Sequence, residues 1–153
     1  MAMRISFGLV VALVCASIVL PPAAAQKKGE AAARDQDAIQ GTWKFVSVEM
    51  DGKKEDPKEQ IIIFQGDKFT VKIGDMVLQA GTQKLDPGKK PATVDAIVTE
   101  GEGKGTTMLG IYEIQGDTLK SCFDMQGKKR PTEFKTAPDS GTFLAVLKRA
   151  EKK

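Results

Sequence analysis

Histidine is absent from this chain and cysteine occurs only twice. The first absence removes imidazole acid–base catalysis and imidazole metal ligation; the second leaves no cysteine cluster that could hold a metal. Lone carboxylates remain, among them Asp95, Glu100, Glu102, Glu113 and Asp124, but their spacings specify no acid–base geometry. Each reads as a solvated strand or loop charge, so the chain is expected not to be an enzyme and to carry no cofactor or metal. A phosphate loop is excluded as well. In the Glu100–Thr106 stretch, Lys104 is followed by Gly105 instead of Ser or Thr, and the next element is a strand, not a helix.

Long apolar runs are equally scarce, the one exception being at the N-terminus. There Arg4 precedes an apolar run from Ile5 to Leu20, and Ala23-Ala24-Ala25 supplies the small residues of a secretory cleavage site. Residues 1–25 therefore read as a signal peptide, cleaved after Ala25, and the protein as exported to a periplasmic or extracellular location. The run is shorter than the roughly 20 residues of a membrane span, so no stable membrane insertion is expected after cleavage. A lipoprotein reading at Cys15 meets Val14 where lipid attachment needs a small residue. Cleavage removes one basic residue, Arg4, and no acid, leaving 22 basic and 20 acidic side chains, a net charge of +2. The remaining basic pairs, such as Lys53-Lys54 and Lys89-Lys90, are scattered and lack interleaved aromatics, which argues against a nucleic-acid partner. Cys122 loses its only possible partner with Cys15 and reads as a small half-buried hydrophobe. The mature domain must then be held by its core alone, for which 128 residues suffice.

Residues 26–37 read as a flexible tether, at most a short helix, because Ile39 is the only large apolar residue between Glu30 and Gln40. The barrel domain is expected over residues 38–150, with a period of two from Thr42 onward, and residues 151–153 form a tail. Expected strands are 42–50, 60–65, 68–73, 76–84, 92–99, 106–115, 118–125, 132–136 and 141–149. Three Gly-Asp turns set register. Gly66-Asp67 places Gln65 opposite Lys68, hence Phe64 opposite Phe69 and Ile62 opposite Val71 on one apolar face. Gly74-Asp75 pairs Ile73 with Met76, Val71 with Leu78 and Phe69 with Ala80 on that same face. Gly116-Asp117 pairs Ile114 with Leu119 and Tyr112 with Ser121 inward, leaving Ile111 and Cys122 on the outer face, an untidy arrangement that suggests a bulge. In the first strand Trp43 and Phe45 have one parity and Val46, Val48 and Met50 the other, as in a strand that bends. The fold class that follows is all-β: an antiparallel meander with one apolar face and no covering helix, closing into a small barrel of about eight to nine strands.

Gly41-Thr42-Trp43, the Gly110-to-Lys120 stretch around Gly-Ile-Tyr-Glu and Gly-Asp-Thr-Leu-Lys, Arg130-Pro131-Thr132-Glu133-Phe134 and Leu147-Lys148-Arg149 carry a resemblance. Over about residues 38–150 the chain resembles the lipocalin-like domain of uncharacterised secreted planctomycete proteins. The resemblance implies a lipocalin-like barrel of unassigned function. It also implies a floor in which Gly41 and Trp43 lie under the last strand, with Arg149, or Lys148 if the register differs by one, across the indole.

Phe64, Phe69, Val71, Met76, Leu78 and Tyr112 are the candidate ligand-binding residues, since they share the barrel interior. An eight-stranded barrel can be filled by such side chains or hold one small ligand. Two functions from different classes stay open: a secreted binder of a small apolar molecule, or an interaction module with a solid barrel whose loops 51–59, 86–91 and 126–131 face an extracytoplasmic protein. An interior space of at least about 300 Å³ would favour the first.

Overall fold

The computed structural model describes residues 22–151; the expected signal sequence up to residue 21 and the last two residues of the tail lie outside it. Among the described residues nine strands follow one helix. They are α1 (Ala23–Ile39), β1 (Gly41–Met50), β2 (Lys53–Glu55), β3 (Ile61–Gln65), β4 (Lys68–Ile73), β5 (Met76–Asp86), β6 (Ala92–Gly101), β7 (Thr107–Gln115), β8 (Thr118–Asp124) and β9 (Thr142–Arg149). Each of β3 to β8 pairs antiparallel with the next, β1 pairs with β3 on one side and β9 on the other, and an eight-stranded barrel is thereby closed. The short β2 adds to β1 at Val48–Met50. Closure leaves the apolar faces no route to solvent except through the barrel ends.

The turn chemistry accounts for most of the register. Gly66, Gly74 and Gly116 have φ of 63°, 56° and 57°, while the aspartates after them stay at negative φ, the pattern of a two-residue turn with glycine first. Phe64 faces Phe69 and Ile62 faces Val71, as the first turn dictates. Ile114 faces Leu119, Tyr112 faces Ser121 and Ile111 faces Cys122 in an unbroken ladder, without a bulge. In β1 the change of parity is a bulge at Val46: Phe45 pairs with Leu147 and Ser47 with Val146, so Trp43, Phe45 and Val48 are all buried while Val46 is exposed.

Two expectations about strands are corrected. After Lys72↔Val77 the ladder resumes at Val71↔Gln79, so Leu78 is an extra residue, and Phe69 sits opposite Gly81 and not Ala80. The bulge reverses the parity of everything beyond it, which turns Gly81, Gln83 and Leu85 inward. Gly81 is required there: a Cβ would stand 2.9 Å from the Phe69 ring and 2.0 Å from the Ile97 carbonyl oxygen. Residues 132–136 form no strand: β8, over which they pass, is already paired with β7 on one side and β9 on the other. They run over the outer face instead. Lys135 accepts a hydrogen bond from the Cys122 thiol at 3.6 Å, and the Lys120 ammonium lies 5.1 Å from the Phe134 ring centre. This covering loop explains why Ile111 and Cys122, on the outside of the barrel, are 1% and 0% exposed.

Where a tether was expected, α1 is a 17-residue helix that begins inside the expected cleavage site. Its alanine content favours helix, and tertiary contacts supply what its sparse apolar surface cannot. Ile39 is buried in the core. Gln40 both accepts from Gly66 N–H (2.7 Å) and donates to the Gly66 carbonyl (3.0 Å), Gln36 donates to the same carbonyl, and Lys28 pairs with Asp86 at 3.3 Å. These partners sit on the β3–β4 turn and at the end of β5, so the helix spans one end of the barrel.

Candidate functional site

The floor of the barrel is assembled where α1 meets β1 and β9. Trp43 is 0% exposed and donates its indole N–H to the Ile39 carbonyl at 2.7 Å. Register places Arg149 opposite Trp43, and its guanidinium carbon lies 4.3 Å from the ring centre. Lys148, the alternative, is exposed opposite Lys44. The guanidinium also donates to the carbonyls of Ala38 (2.6 Å) and Gln40 (2.8 Å) and to the Asp117 carboxylate (3.1 Å). Two of these acceptors are carbonyls at the helix end, which a cation satisfies both by hydrogen bonding and through the helix dipole. Gly41 is favoured here by its backbone, at φ 102°, and not by space, since a Cβ would meet the Arg149 guanidinium only at an ordinary 3.7 Å.

Above the floor the barrel contains a cavity of about 420 Å³. Phe64, Phe69, Val71, Leu78 and Tyr112 line it, as the inward faces of β3, β4, β5 and β7 require. Met76 does not. It is 60% exposed: it pairs with Ile73 in the last rung before the β4–β5 turn and so stands at the barrel's end, outside the cavity wall. The cavity meets solvent at the end away from α1, where the exposed Glu102 and Gly103 contribute to its wall. At that rim Gln79 donates to the Glu102 carbonyl at 2.8 Å.

The lining is mostly aliphatic and aromatic, with a few polar groups set into it. Tyr112 donates its hydroxyl to the Asp35 carboxylate of α1 at 2.6 Å. Burial above all, then that bond and the charges of Asp35 and Asp86, pushes the phenol far above its ordinary pKa, so it stays neutral. Ser121 and Gln83 are buried and also face the space. Gln83 was not foreseen from the sequence, since counting on from Gly74-Asp75 without a bulge sends it outward. Its signal was the spacing Gly81, Gln83, Leu85, legible only once the bulge is known.

The remaining carboxylates singled out above stay apart. Asp95 pairs with Arg130 on the outer face, and Asp124 accepts from the backbone N–H groups of Gln126, Lys128 and Lys129 at 2.9, 2.8 and 2.5 Å. Among the described residues no group of three or more Cys, Asp or Glu side chains is placed to hold a metal ion, and no helix is long and apolar enough to cross a membrane. Comparison of the chain with protein-family models, with curated proteins and with solved structures returns no match.

Proposed function

We propose that the protein is an exported binder that holds a small apolar or amphipathic molecule in its barrel without altering it chemically. The observation that carries this reading is the cavity of about 420 Å³, which lies within the range of roughly 300–1,000 Å³ typical of small-ligand sites. A solid barrel would have left its lining side chains in mutual contact at close-packed density. The apolar wall offers binding energy through burial of the guest's surface, at about 25 cal/mol per Å² before the costs of association. The lipocalin-like resemblance of residues 38–150 is in keeping with this reading.

The test is titration with an environment-sensitive neutral probe such as N-phenyl-1-naphthylamine, with competition by small apolar compounds. Binding should be saturable and competitive. Phe69→Ala should shift preference to larger guests, and Leu78→Trp, near the open end, should narrow or block entry. Absence of binding, or binding indifferent to both substitutions, would make the barrel a scaffold and transfer function to the loops 51–59, 86–91 and 126–131 and a protein partner.

A further inference from the structure

Polar groups inside an apolar cavity determine which guests are tolerated, because each must find a partner when water is displaced. Gln83 is the informative one. It is only 9% exposed, lines the cavity from β5, and its side-chain nitrogen has no hydrogen-bond partner among the described residues. Its backbone N–H is already satisfied by the Asp67 carbonyl at 2.7 Å, so the side-chain amide alone is left over. Buried amides without partners are uncommon in folded proteins, and one facing a ligand-sized space points to a guest that completes it.

Charge in the lining narrows the class of guest. No lysine or arginine lines the cavity, and its one charged residue, Glu102, stands at the exposed rim. A carboxylate carried inward would lose its hydration with no cation to replace it. Of the other buried polar groups in the wall, Tyr112 already donates its proton to Asp35, and Ser121 brings a neutral hydroxyl. The interior therefore offers a neutral amide donor, a neutral hydroxyl and an otherwise apolar wall.

Building on the binding reading above, we infer that the guest is an uncharged amphiphile with a carbonyl-type acceptor (ketone, ester or amide) on its inserted part, held by the Gln83 side-chain amide. Ionised fatty acids are selected against. The amide can turn either way about its last bond, so a guest that also carries a donor is accommodated, but one that carries charge is not.

Three ten-carbon competitors test this against the N-phenyl-1-naphthylamine-loaded full protein: 2-decanone, 1-decene and decanoate at neutral pH. The expected order is ketone, alkene, carboxylate, with the ketone about 10- to 100-fold tighter than the alkene, the worth of one buried hydrogen bond. Gln83→Leu should abolish the ketone's advantage, read as the ratio of ketone to alkene affinity within the same variant. A second measurement needs no variant. The carbonyl stretch of bound, isotope-labelled 2-decanone should move to lower frequency than in hydrocarbon solvent. Equal affinity of ketone and alkene with an unshifted stretch, as when a water molecule satisfies Gln83, would overturn the inference while leaving the binding reading standing; so would tighter binding of decanoate. If the probe itself does not bind, both readings fall together.

Discussion

Replacing Arg149 by alanine removes the group that joins the last strand, the first strand and the helix end. The guanidinium donates to two backbone carbonyls at 2.6 and 2.8 Å and stacks 4.3 Å from the Trp43 ring centre. Hydrogen bonds to a charged donor contribute about 1.5–3 kcal/mol each, and a cation over an indole about 1. The Asp117 pair adds about 0–0.5 kcal/mol, since that carboxylate is 82% exposed. Arg149 is itself 31% exposed, so water partly replaces it at the freed carbonyls and the lower end of these ranges applies. The expected loss is about 4 kcal/mol, or a fall in Tm of roughly 10–15 °C for a domain of this size. Trp43 is the only tryptophan, so urea denaturation followed by its emission reports directly on the floor. The folded wild type should emit to the blue of free tryptophan. Arg149→Lys, which keeps the charge but loses the planar fork, should recover about half of the lost stability. Tryptic cleavage within α1 should quicken in the alanine variant, because the helix is docked partly through its C-terminal carbonyls. A loss below about 0.5 kcal/mol, or full recovery by lysine, would refute the assignment of the guanidinium fork as the clamp.

Cys122 is 0% exposed beneath the 125–141 loop, and burial first, with a smaller push from Glu49, raises its thiol pKa against the opposing Lys135 and Lys120 contacts; peptide-mapped thiol labelling at neutral pH should therefore be slow until denaturant is added, and rapid labelling of the folded protein would contradict the covered outer face. Burial alone would raise the Asp124 carboxyl, but the three backbone N–H groups and the nearby Lys128 outweigh it and hold its pKa below the ordinary value. Because the folded value is depressed, this stabilisation is present above about pH 4 and is lost as pH falls through the folded value; Asp124→Asn should flatten the acid limb of a stability-versus-pH curve, and an unchanged limb would count against the loop anchor.

What could be read from the sequence is what short-range chemistry decides. Gly66-Asp67 and Gly116-Asp117 specify tight turns, the turns specify register, and alternation then sends Phe64, Phe69, Tyr112 and Leu119 to one face without any knowledge of the rest of the fold. Closure into a barrel follows from the number of such strands and the lack of helices between them. Long-range geometry decided the remainder. The bulge at Leu78 moves β5 by one residue against β4, and that single extra residue turns Gln83 inward, while Met76 is left outside by its place in the last rung at the β4–β5 turn. Helix α1 is ordered by Gly66, Asp86, Tyr112 and Arg149, partners 26 or more positions away in the chain, so its own sparse apolar surface could not announce it. Only the closed barrel leaves a space among its side chains, because whether inward residues meet across a barrel depends on its diameter and on their sizes taken together. Composition named the wall; tertiary structure made the cavity and left one amide in it without a partner.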